Sequence, residues 1–183
     1  MIQTRAGQNA SEAEQGSSYG GHADLNYDLS RPKERQLAKD FLKSHPDIRF
    51  NEFIELLDSL YVGESTNEKS VAGLLLENHT KFRKELDPQK IDEWLNNLRG
   101  WCQVDCLCQS NFSAKEALAN WEDWENLIRA LNKSENINKR RASLVLLIKT
   151  IRKPNTEKAT DLALEMVDNL KSEDDILITK AIS

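Results

Sequence analysis

Residues 121–151 read WEDWENLIRALNKSENINKRRASLVLLIKTI, and the arrangement of apolar side chains in them decides the fold. Trp124, Leu127, Ile128 and Leu131 recur at the three-and-four spacing that places side chains on one face of an α-helix. A polar stretch follows, Asn136 opens a new segment, and Leu144, Val145, Ile148 and Ile151 repeat the spacing. The unit is therefore a pair of amphipathic helices joined by a short link. One such pair cannot bury its own stripes, so copies must stack on each other.

Working outward, the same pattern returns along the chain. Phe50, Phe53, Ile54, Leu57 and Tyr61 form one stripe, and Val71, Leu74, Leu75, Asn78 and Phe82 form another. Ile91, Trp94, Leu95 and Leu98 make a third, and Ala159, Leu162, Ala163, Met166, Val167 and Leu170 make the last. Stop and start signals separate them: Ser30 before Arg31-Pro32, Asp87 before Pro88, and breaks at Gly63, Gly100 and Pro154. Segments opening at Arg31, Asn67, Trp101, Asn136 and Glu173 recur about every 35 residues, room in each for two antiparallel helices of about three to four turns with short connections. The expected fold is all-α: a HEAT-like helical-repeat solenoid forming one domain over residues 21–183. Residues 1–20 carry almost no large apolar side chains and are expected to be a disordered lead-in.

Composition narrows the function. The lead-in lacks the apolar core of a signal peptide, and the longest apolar run, Leu144 to Ile148, is far too short to span a bilayer. A cytoplasmic protein is expected. Cys102, Cys106 and Cys108 are an odd number of thiols with no second cluster to complete a zinc site, so they read as small buried apolar residues. His22, His45 and His79 have no partners at metal or catalytic spacing, and Trp121 and Trp124 read as core anchors. No metal and no cofactor are expected.

The net charge of −5 argues against indiscriminate coating of nucleic acid, yet its distribution is uneven. Between Arg129 and Lys158 stand nine Lys/Arg, opposed only by Glu135 and Glu157. Such a segment suits a confined phosphate-binding groove, and it also suits a plain solvated helix face.

Two features stand out against the apolar stripes. In WCQVDCLC, Trp101, Val104, Asp105 and Cys108 share one helix face, and a carboxylate beside a buried stripe is costly without a partner. In NINKRRASLVLLI, Arg141 precedes Leu144, Val145 and Ile148 by three, four and seven residues, and Arg140 aligns similarly with Leu144, Leu147 and Ile151. Asp105 and Arg141 lie about one repeat apart, which puts them at corresponding places in adjacent units. Asp105 then reads either as a structural partner of a nearby cation or as a functional group on a shared concave surface.

The stretches WLNNLRGWCQVD, NINKRRASLVLLIK and SEDDILITKAIS, with GGHADLNYDLSRPKERQLAKDFL and LLDSLYVGESTNEKSVAGLLL upstream, resemble the DNA alkylation repair family of HEAT-like glycosylases, the AlkD type. The likeness runs from about Gly20 to Ser183, and relative to the family the chain is expected to be shortened at both ends. The resemblance implies excision of cationic N3- and N7-alkylated purines from duplex DNA, without a metal. It also implies a cleft tryptophan at Trp101, a catalytic aspartate at Asp105 and a phosphate-contacting arginine at Arg141. Arg140, Lys139 and Lys149 are expected to join Arg141 in holding DNA. The alternative is a non-catalytic HEAT-like scaffold whose concave face binds DNA or a protein partner.

Overall fold

The computed structural model of the protein describes residues 10–11 and 24–183. The expected lead-in and His22 lie outside these residues, apart from Ala10–Ser11, which pairs antiparallel with Asn26–Tyr27 in a two-residue ladder. Apart from an isolated parallel bridge between Leu25 and Ser65, all other regular structure among the described residues is helical. The helices are α1 (Arg31–Ser44), α2 (Phe50–Val62), α3 (Thr66–Asn78), α4 (Thr80–Glu85), α5 (Gln89–Leu95) and α6 (Gly100–Asn111). There follow α7 (Ala114–Ala119), α8 (Trp121–Asn132), α9 (Ile137–Val145), α10 (Ile148–Ile151), α11 (Glu157–Leu170) and α12 (Ile176–Ile182). No helix among the described residues is long and apolar enough to cross a membrane.

The helices that open at the expected intervals form one row. α1 packs on α3, α3 on α6, α6 on α9, and α9 on α12. A second row runs beside it, with α2 on α5, α5 on α8 and α8 on α11, and the rows join through α2–α3 and α8–α9. This is an all-α helical-repeat fold. Side-chain contacts carry the repeat in their register: Trp94 Nε1 donates to Asp58 at 2.6 Å across 36 residues, and Asn132 Nδ2 donates to the Met166 carbonyl at 3.3 Å across 34.

The row's N-termini are fixed locally. Ser65 caps α3, accepting from the Glu68 amide at 3.1 Å while Glu68 accepts from the Ser65 amide at 2.9 Å. Asn136 and Asp175 cap α9 and α12 by accepting from the Asn138 and Leu177 amides at 2.9 and 2.8 Å. α3 is buried on nearly every side and meets α6 where Gly73 lies. A Cβ on Gly73 would stand 2.8 Å from Cys106 Sγ, so the two helices approach this closely only because Gly73 has no side chain. One core of side chains from Leu37 to Ile178 runs through the stack.

Three expectations change. The stripe ending at Phe82 is broken at His79, whose Nδ1 accepts from the Phe82 amide at 3.4 Å and starts the separate helix α4. The stripe from Leu144 to Ile151 divides between α9 and α10, leaving Ile151 40% exposed. Several outer helices are single or double turns, because packing between rows compensates for hydrogen bonds that a longer helix would supply.

Candidate functional site

The chain enters α6 through Gly100, whose φ of 69° lies in the left-handed region that glycine adopts without strain. The Gly100 amide donates to Asn138 Oδ1 at 2.9 Å, and the Arg99 amide to Gln103 Oε1 at 2.8 Å. This sharp, tethered entry sets the first turn of α6 so that Trp101 projects outward, 39% exposed. Asp105 follows one turn later on the same face.

Asp105 is held by both oxygens. Arg141 Nε donates to Oδ1 at 2.9 Å and Nη2 to Oδ2 at 2.8 Å, the fork geometry that guanidinium and carboxylate share. Arg141 Nη1 donates to the Leu177 carbonyl at 2.7 Å. Asp105, Arg141 and Leu177 are 36 residues apart in turn, so the repeat sets corresponding positions of α6, α9 and α12 in one chain of contacts. The Arg141 side chain is 5% exposed and Asp105 17%, so the carboxylate, not the cation, is the member that reaches solvent.

A cleft of about 400 Å³ opens there, lined among others by Arg31, Glu34, Ser70, Trp101, Asp105 and Cys106. Its far wall is a polar network that the sequence reading did not identify. Glu34 is buried and accepts from Asn67 Nδ2 at 2.7 Å, Ser70 Oγ at 2.5 Å and Arg31 Nη1 at 3.0 Å. Arg31 Nη1 also contacts Ser70 Oγ, and Nη2 donates to Cys106 Sγ at 3.2 Å. The signal was present: Glu34, Leu37, Ala38 and Phe41 repeat the face pattern of Trp101, Val104, Asp105 and Cys108, again with a carboxylate beside an apolar stripe. Beneath the cleft, buried Lys69 pairs with Asp24, which also accepts from Gln103 Nε2 at 2.7 Å.

The other expected DNA contacts are placed differently. Lys139 pairs with Asp92 at 2.8 Å. Arg140 donates through Nη2 to Glu173 at 3.0 Å and through Nη1 to the Ser134 carbonyl at 2.8 Å. Lys149 is exposed on α10. None of these three is among the residues lining the cleft with Trp101 and Asp105. The expectation that all three thiols are buried also changes: Cys102 is exposed and Cys106 half-buried, both lining the cleft, while Cys108 alone is fully buried. Burial pushes all three thiols up from their ordinary range, Cys108 furthest. Among the described residues no group of three or more His, Cys, Asp or Glu side chains is placed to hold a metal ion.

The chain is thus a helical-repeat protein whose candidate site sets a carboxylate gripped by a buried arginine beside an exposed indole in one cleft. The chain belongs to the DNA alkylation repair enzyme family, whose sequence model matches residues 3–183. Its fold is similar to that of a predicted DNA alkylation repair enzyme from Enterococcus faecalis, with a TM-score of 0.70 and 17% identity over 93% of this chain and 77% of that one. At that identity the likeness is one of fold. No curated protein matches the sequence. Family membership points to the repair of alkylated DNA and to DNA as a partner.

Proposed function

We propose that this chain hydrolyses the N-glycosidic bond of N3- and N7-alkylated purines in duplex DNA. The observation that carries this reading is Asp105, held by both oxygens on buried Arg141 yet open to the cleft that Trp101 borders. An alkylated purine is already cationic, so the C1′–N bond can break with its electron pair going to the base, which leaves neutral. The sugar becomes oxocarbenium-like as that bond opens, and water adds to C1′ and releases a proton to solvent to leave an abasic site. A carboxylate fixed beside the sugar lowers the energy of that positive charge without rearranging during the reaction. Trp101 offers its ring to the cationic base. Arg141 acts behind Asp105 as a positioning residue, since its guanidinium is taken up by Asp105 and the Leu177 carbonyl. Phosphate contacts by Lys139 or Arg140 require exchange of Asp92 or Glu173 for a backbone phosphate.

That internal pairing also suits a second reading, a non-catalytic scaffold that binds DNA or a protein on the same face. Incubation of the protein with N-methylated duplex DNA, followed by chromatography of the released bases, separates the two. Release of methylated purines that disappears in Asp105→Asn supports hydrolysis. A parent protein that binds the duplex and releases no base leaves the scaffold.

A further inference from the structure

Arg141 was the arginine expected to meet a phosphate, but the structure buries it behind Asp105. Among the described residues lining the cleft, Arg31 is the Lys or Arg that remains. Its side chain is 44% exposed, against 5% for Arg141. It stands at the first turn of α1, next to Pro32, where the backbone is fixed by the ring. Its guanidinium is anchored from behind: Nη1 is taken by Glu34 and Ser70, and one Nη2 proton by Cys106 Sγ. Nε–H has no partner among the described residues, and on a guanidinium it shares an edge with one of the two Nη2 protons. The same Nε/Nη2 edge of Arg141 grips Asp105. A planar, pre-oriented fork of this kind matches two oxygens of a phosphate.

We propose that Arg31, held in place by Glu34 and Ser70, is the cleft's phosphate-binding cation and contacts a backbone phosphate of the duplex flanking the nucleotide at Asp105. The proposal rests on the DNA reading above. Glu34 serves as the positioning residue. Its buried carboxylate is satisfied by Asn67, Ser70 and Arg31, so it anchors the guanidinium without offering a free anion to repel DNA. A second consequence is a division of labour between the two arginines. Arg31 faces the substrate, and Arg141 faces the catalytic carboxylate.

The test is binding of an unmodified fluorescein-labelled duplex, followed by anisotropy across a series of salt concentrations. Each phosphate contact contributes about 0.9 to the slope of log affinity against log salt. Arg31→Gln is expected to flatten the parent slope by about one and to weaken binding at low salt roughly tenfold, while Arg31→Lys restores most of the slope. Lys33→Gln, on the exposed side of α1 and outside the cleft, is expected to leave the slope near that of the parent. Because Arg31→Gln leaves Glu34 short of a partner, the double variant Arg31→Gln/Glu34→Gln is measured beside it. It keeps neutral hydrogen-bonding groups in both places and is expected to show the same flattened slope. If the parent binds and Arg31→Gln and the double variant both retain its slope, or if Lys33→Gln loses as much, Arg31 is not the contact. A parent with no salt-dependent affinity for duplex DNA overturns the DNA reading itself, and this proposal with it.

Discussion

Replacing Asp105 by Asn should produce two separable losses, because the structure gives this carboxylate two neighbours of opposite kind. On the protein side, Arg141 donates to it at 2.9 and 2.8 Å with its own side chain only 5% exposed. Asparagine keeps one acceptor but turns an amino group toward Nη2 and leaves a buried guanidinium without its counter-charge. Breaking a buried pair from one side costs about 3–5 kcal/mol, and the low end applies because Asp105 keeps contact with water. For a chain of this length that corresponds to a melting temperature lowered by roughly 6–12 °C. On the cleft side, a unit charge about 4 Å from the developing oxocarbenium at an effective dielectric near 20 contributes roughly 4 kcal/mol, on the order of a thousandfold in rate. The assay pairs circular-dichroism melting with release of 7-methylguanine from methylated duplex, at a temperature where the variant is fully folded. Asp105→Asn/Arg141→Gln, a neutral amide pair, should regain part of the stability and none of the base release. An Asp105→Asn protein that excises like its parent removes Asp105 from the mechanism. One that melts within about 2 °C of its parent refutes the claim that the fork to Arg141 is a buried constraint.

Further outcomes follow from other positions. Trp101→Ala should leave the melting temperature nearly unchanged, since the ring is 39% exposed, yet lower excision at least tenfold; an active variant would make Trp101 a bystander. Gly73→Ala should destabilise by about 1–2 kcal/mol despite better helix propensity, because its Cβ would meet Cys106 Sγ at 2.8 Å. Cys106→Ala should rescue it in denaturant titrations, and a missing rescue would locate the strain elsewhere. The fully buried Cys108 thiol is pushed well above its ordinary value near 9 by burial first, with the negative charge of Asp105 adding to it. A group raised in the folded state contributes stability that is complete below its unfolded value and lost as pH rises through the folded one. Urea midpoints should therefore fall above about pH 9, less steeply in Cys108→Ala, and a flat profile to pH 11 would contradict this.

The amino-acid sequence by itself determined the helical class, the interval of about 35 residues and the placement of the apolar faces. These are local properties: a stripe, a cap such as Ser65 with Glu68, and a glycine such as Gly100 are all read within one or two turns. The interval also aligned Asp105 with Arg141, because side chains one repeat apart in a stack become neighbours. Only the tertiary structure decided what each charge is used for. Arg141 and Arg140 look alike in the sequence, yet one faces inward to Asp105 and Leu177 while the other meets Glu173 at the edge of the stack. Ser30, Arg31 and Pro32 mark a helix start in the sequence, but Arg31 and Glu34 become a cleft wall because Asn67 and Ser70 of the next repeat close over the carboxylate. The partner of a charge comes from a residue about 33–36 positions away, and which of several cations it meets depends on helix rotation and burial that no local pattern encodes.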